Sequence, residues 1–280
     1  MLFNGDQTLS GTGQIILSDK VTNLISMASY GQTITQEADH TIRGAGQLLS
    51  NRGNMVNQGK IIAEGTAALT IDPHANLGFE NQGLVSAQGT GGLTHIGSYL
   101  QTAGETVVNS LMTVKSNGDF LLQGGGLSGN GVLNFTTDGK GVINSQGTVN
   151  PGSSLGKLTI DGNYIQETDG ELLIELAGDE QGITYDLLDI SGDATLAGTL
   201  SVDLLDYTPN VGDIFTIIMA QSIGITPFDA LNILDSGILF DVVYTDTDVQ
   251  LIVSAVPVPS GFLLLISGLL SVTWIKRRVS

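Results

Sequence analysis

The apolar runs of this chain are too short to build anything alone. Through residues 1–158 they extend for three to five residues and stop at Gly or Asn, and no window of 12 residues shows helical spacing. A strand of that length buries little surface, so many such strands must be stacked over one shared core. Gly makes up 38 of 280 residues, about twice the usual share. Gly and Asn are the residues that tolerate positive φ at tight corners.

Degenerate repeats point the same way. A Gly-x-Gly-x-apolar element stands at Gly11-Thr12-Gly13, Gly44-Ala45-Gly46 and Gly129-Asn130-Gly131, and an Asn-x-Gly-x-apolar element at 51–55, 57–61 and 81–85. The spacing is irregular. This pattern predicts an all-β chain whose residues 1–143 wind as a right-handed parallel β-helix, a β-solenoid with Gly and Asn at its corners. Asn117-Gly118 and Asp138-Gly139 would equally close two-residue hairpins, which makes a β-sandwich the alternative. Residues 144–253 carry longer, more clearly alternating runs at 172–176, 187–190, 199–204, 214–218, 239–244 and 249–253, and are expected to form a second β-rich region.

Charge divides the chain sharply. Before position 276 there are 7 basic residues against 28 acidic ones, a net charge of −21, and Lys276, Arg277 and Arg278 add +3 at the end. Nucleic acid is an unsuitable partner, because phosphate contacts need clustered Lys and Arg. With no Cys, disulfides, thiolate metal sites and cysteine nucleophiles are excluded.

Between Ser254 and Ile275 no residue is charged. Pro257 and Pro259 bar a helix before Ser260. Residues 260–275 then offer an apolar span of about 24 Å, short of the ~30 Å hydrocarbon core. Trp274 sits where an interfacial aromatic belongs, and Lys276, Arg277 and Arg278 would hold that end in the cytoplasm with the body outside.

The order of these features in 254–280 resembles the PEP-CTERM sorting signal. The Pro motif is Val256-Pro257-Val258-Pro259-Ser260, the span contains Ser267-Gly268-Leu269-Leu270, and the membrane stop is Lys276-Arg277-Arg278. Val258 replaces the Glu of the family motif. The resemblance implies an exosortase-type membrane enzyme as partner, insertion in the cytoplasmic membrane through the C-terminal helix, and delivery of the body to the cell surface of a Gram-negative bacterium. A second likeness lies in the body. The stretches 147–154 (Gly-Thr-Val-Asn-Pro-Gly-Ser-Ser), 156–166, 185–192, 194–200 and 212–218 are similar to the end of autotransporter and adhesin β-helices. This implies fold and surface location, with extracellular polysaccharide as one ligand class. The start, Met1-Leu2-Phe3-Asn4-Gly5, lacks a basic region and an apolar run for export; the natural protein is therefore expected to begin upstream.

Chemistry is sparse. β-Helix enzymes acting on acidic polysaccharides need convergent carboxylates with Arg, Lys or His, and the best cluster here is Asp39, His40 and Arg43. A solvated loop is the simpler account of it. Asp72-Pro73-His74 reads as a turn, His95 as a corner residue and Gly124-Gly125-Gly126 as a sharp corner. Asp186, Asp189 and Asp193, and likewise Asp241, Asp246 and Asp248, are close enough in sequence to suggest calcium. Acids that keep sheet edges from pairing explain them more simply. The expectation is a structural or adhesive surface protein, not an enzyme and without a cofactor. A polysaccharide-acting enzyme and a plain membrane-anchored β-helix are the alternatives.

Overall fold

The computed structural model describes residues 1–234 and 237–254. The 260–275 span, the 256–260 motif and the 276–278 basic end lie outside the described residues. Among the described residues no helix is long and apolar enough to cross a membrane, and every regular element is a strand.

The strands form three long sheets, here faces A, B and C. Through Ala230–Ile233 consecutive strands go to A, then B, then C, and coil pairs with coil three strands on; faces B and C carry 10 strands each, and face A carries 12 with the closing hairpin. Pairing within the coil is parallel throughout, as in Leu69↔Leu93 on face A, Tyr99↔Phe120 on face B and Val85↔Thr106 on face C. This is a β-solenoid, and the parallel order rules out the sandwich. Asn117-Gly118 and Asp138-Gly139 close no hairpin; each lies at a corner between a face A strand and a face B strand. All three sheets run across residue 144 without interruption, for example Phe120↔Val142↔Tyr164 on face B. The longer strands after that position extend the same coil until an antiparallel hairpin, Leu239–Tyr244 with Asp248–Ser254, closes face A against Ile214–Met219.

Register explains the core. Inward positions stack coil on coil at about 4.8 Å, so each face has its own interior column. Face B stacks Ile34, Met55, Phe79, Tyr99, Phe120, Val142 and Tyr164, all at most 2% exposed; the Tyr99 and Phe120 rings are 4.6 Å apart and stacked. Face C stacks Ile42, Ile61, Val85, Thr106, Leu127, Val149 and Leu172. Strands of three or four residues suffice because each inward side chain packs against its copies above and below as well as across the core.

The last inward position of face B is different. Gln36, Asn57, Asn81, Gln101, Asn144 and Gln166 occupy successive coils in register, interrupted only by Leu122. All six are buried. Asn57 Nδ2 donates to Asn81 Oδ1 (2.7 Å) and Asn81 Nδ2 to Gln101 Oε1 (3.3 Å). The amides also donate to the carbonyl of the first face C residue one coil on: Gln36 to Lys60 O, Asn57 to Leu84 O, Asn81 to Glu105 O, Gln101 to Gly126 O. The Asn of the Asn-x-Gly element is therefore a buried turn support at 57 and 81. Among the three elements, only that at 51 has Asn at positive φ.

Replacing Asn81 by Ala removes three of these bonds and leaves buried polar groups unpaired. The expected cost is about 2–3 kcal/mol, read as a lower urea midpoint. Gly83→Ala should also destabilise, because a Cβ there would meet the Gly59 carbonyl oxygen at 2.2 Å. An unchanged midpoint for Asn81→Ala would mean that the amide column is dispensable.

Candidate functional site

The corner between faces A and B widens at residues 72–78, the longest such turn among the described residues. One coil back stands Arg52, and one further back Tyr30, 65% exposed and the only large exposed aromatic among the described residues. The Tyr30 and His74 rings are 5.1 Å apart and tilted by 46°. The Arg52 guanidinium carbon lies 5.5 Å from the Tyr30 centroid, a cation–π contact. Beside them Asn51, Asp72, His74, Asn76 and Ser116 line a cavity of about 230 Å³ with Ile96 at its wall. Burial pushes the Asp72 carboxyl up from its ordinary value. Asn51 and Ser116 both sit at positive φ, a conformation that costs free energy for a residue with a Cβ and clusters at binding sites. The ridge offers an aromatic face, a fixed cation, an imidazole and a carboxyl at a solvent-facing corner, suited to holding a polar ligand.

The structure separates the other sequence candidates. Asp39 is exposed at the turn from face B to face C; His40 beside it is buried, and that burial lowers its pKa. Arg43 pairs with Glu64 (Nε to Oε1, 2.7 Å). The cluster thus resolves into an exposed acid, a core imidazole and a surface ion pair. His95 is no corner residue: it is fully buried in the face A column between Ile71 and Val114. Its ring contacts Phe79 and Tyr99, its Nδ1 lies 3.1 Å from Gly97 O, and its Nε2 has no partner. This assigns the neutral Nδ1–H tautomer. Gly124 and Gly125 form a corner and Gly126 opens the next strand.

The aspartates do not converge. Asp186 is buried, and its two oxygens accept Gly156 N (2.9 Å) and Glu175 N (2.8 Å). Asp189 pairs with Lys157 on face A, whereas Asp193 accepts from Ser222 on face B. Asp248 takes the Thr245 and Thr247 hydroxyls within the closing hairpin, and Asp241 is exposed on its edge strand. Among the described residues no group of three or more acids and histidines is placed to hold a metal ion. The corner at Ser191 and Gly192 sends Asp189 to face A and Asp193 to face B, which keeps these sequence neighbours apart.

Tyr30 and Arg52 were missed in the sequence. The available signal was an aromatic between Ser29 and Gly31, in turn-like context, where no core position is expected. No protein-family model matches the chain, and no curated protein is similar enough to count as a relative.

Two buried groups set opposite pH trends. Burial lowers the His95 pKa from 6.5 to about 4. As pH falls below 6.5 the unfolded chain takes up a proton that the folded chain refuses, so stability drops by about 3 kcal/mol between 6.5 and 4 and then levels. Burial raises the Asp186 carboxyl from 3.8 to about 8, against its two N–H bonds and with the Glu175 charge assisting. The folded state holds that proton more tightly, so its contribution is lost as pH rises from 3.8 through 8. Unfolding measured across pH 4–9 should show His95→Phe flattening the acid limb to the residual slope from His40, and Asp186→Asn flattening the other. A wild-type acid limb retained in His95→Phe would contradict the assignment.

Proposed function

We propose that this chain is an exported cell-surface or extracellular-matrix protein with a structural or adhesive role, delivered by its C-terminal tail. The observation that carries this reading is the succession of a stiff, acidic β-solenoid through residue 254 and a charge-free stretch ending at Lys276, Arg277 and Arg278. The coil is taken to wind right-handed, as parallel crossovers do. A rod built from nearest-neighbour coils presents long flat faces, and a net charge of −21 before position 276 keeps such a surface soluble and away from anionic lipid. In this reading residues 260–275 insert in the cytoplasmic membrane, an exosortase-type enzyme processes the chain at Val256, Pro257, Val258, Pro259 and Ser260, and the body meets extracellular polysaccharide.

Mass spectrometry of the C-terminal peptide, from cell envelope and from medium, tests the proposal. The expected mature end lies near Pro257–Ser260, and deletion of Lys276, Arg277 and Arg278 should raise the unprocessed fraction. An intact end at Ser280 in the membrane fraction would instead mean a plain anchor.

A further inference from the structure

Face C carries a groove unconnected to the Tyr30 ridge. Its floor is a column of outward residues in register, Val107, Ser128 and Asn150. One side is formed by Glu105, whose Oε1 accepts the Ser128 hydroxyl at 2.8 Å. The other is the loop 152–156, whose residues Gly152, Ser153 and Ser154 border an open hollow of about 410 Å³ together with Asn109.

That loop is held in place at both ends. Gly152 exchanges two backbone hydrogen bonds with Gly129 (2.7 and 2.9 Å), and Gly156 N donates to the buried Asp186 carboxyl. Ser153 Oγ donates to Asn109 Oδ1 (2.7 Å). Between these anchors Ser154 has φ 137, a strained value for a residue with a Cβ. At the floor the Asn150 amide is engaged with the Glu175 carboxylate, while its Oδ1 is buried and has no donor, which is costly unless something donates to it.

The lining is a carboxylate, two amides and serine hydroxyls around one aliphatic side chain, with no Lys or Arg. Acceptors outnumber charged donors, so an anionic ligand is disfavoured and a ligand rich in hydroxyl donors is favoured. Val107 supplies a small apolar patch such as the C–H face of a sugar ring covers, and the volume lies within the range of small-molecule sites. We propose that this groove is a binding subsite for a neutral saccharide, with Glu105 and Asn150 accepting from its hydroxyls and the 152–156 loop as a pre-formed wall. The proposal goes beyond the export reading and does not depend on it.

The test is an amide-shift titration of the isotope-labelled full chain in detergent with cellotetraose, maltotetraose and mannotetraose. Saturable shifts confined to 105–109, 128 and 150–154 are expected with at least one of them. Glu105→Ala and Ser128→Ala should weaken the binding at least five-fold, and Tyr30→Ala should leave it unchanged. No saturable shift with any of the three overturns the proposal. So does loss of binding in Tyr30→Ala with retention in Glu105→Ala. Shifts at the same residues from calcium chloride alone, with none from saccharide, would make the groove an oxygen site for a cation and overturn it as well.

Discussion

Where face B turns into face C, the chain changes direction within two to four residues through most of the coil, directly above and below copies of the same turn. Backbone bonds tie these turns coil to coil, as Lys60 N donates to His40 O and Gly126 N to Gly104 O, but the second lone pair of each carbonyl and the polar groups on the core side are out of reach of water. The side-chain amides of Gln36, Asn57, Asn81, Gln101, Asn144 and Gln166 add side-chain donors to carbonyls around the corner, and the hydroxyl of Tyr99 joins the same network through Thr106 to Gln101 (2.8 and 2.6 Å). Tyr164 does likewise through Gln166 (2.7 Å). Large aromatic rings can therefore occupy the interior without stranding their hydroxyls. At Leu122, where the amide is absent, Gln101 reaches from below to Gly124 O and Gly126 O, and Ser145 donates to Leu122 O from above. One missing amide is thus covered by its neighbours, which couples each coil to the next.

The same corner explains one recurrent set of glycines. Positions 59, 83, 104, 125, 147, 170 and 198 recur there, and a Cβ on Gly83 or Gly125 would fall about 2.1–2.2 Å from the carbonyl oxygen of the glycine one coil back. Gly83 does not have positive φ; what excludes a side chain is the closeness of the next turn. The composition therefore identified the right residues at the corners for a reason that is only partly right. Short strands, Gly/Asn punctuation and six longer strands after 144 were legible because periodicity and turn chemistry are local properties. The single continuous coil was not, since the longer later strands imitate a change of domain while the pairing simply continues.

Sites were less legible than fold, for a definite physical reason. Residues that touch across coils are some 20–30 positions apart and meet only once register is set, as Val107, Ser128 and Asn150 do on face C and Asn57, Asn81 and Gln101 do in the core. Irregular coil length hides that register, because insertions such as 72–78 and 177–186 shift the count. Closeness in sequence misled in the opposite sense. Asp186, Asp189 and Asp193 lie within eight positions, yet they serve a buried clamp, a face A ion pair and a face B hydrogen bond.

Inward positions are committed to packing and corner positions to closing the turns, which leaves the outward strand positions and the longer loops free to differ from coil to coil. The ends of the sheets are constrained too: on face A the last strand of the coil is covered by a hairpin whose own edge strand exposes Asp241, an arrangement that discourages further strand addition. Surface chemistry can therefore concentrate only where a loop departs from the shortest path. The 72–78 turn and the 152–156 loop are two such departures; each adds polar groups to an otherwise flat face, and the second also holds Ser154 at a strained φ. A ligand that engaged either one would meet a wall already held by the coils beneath it, so little ordering would be left to oppose binding.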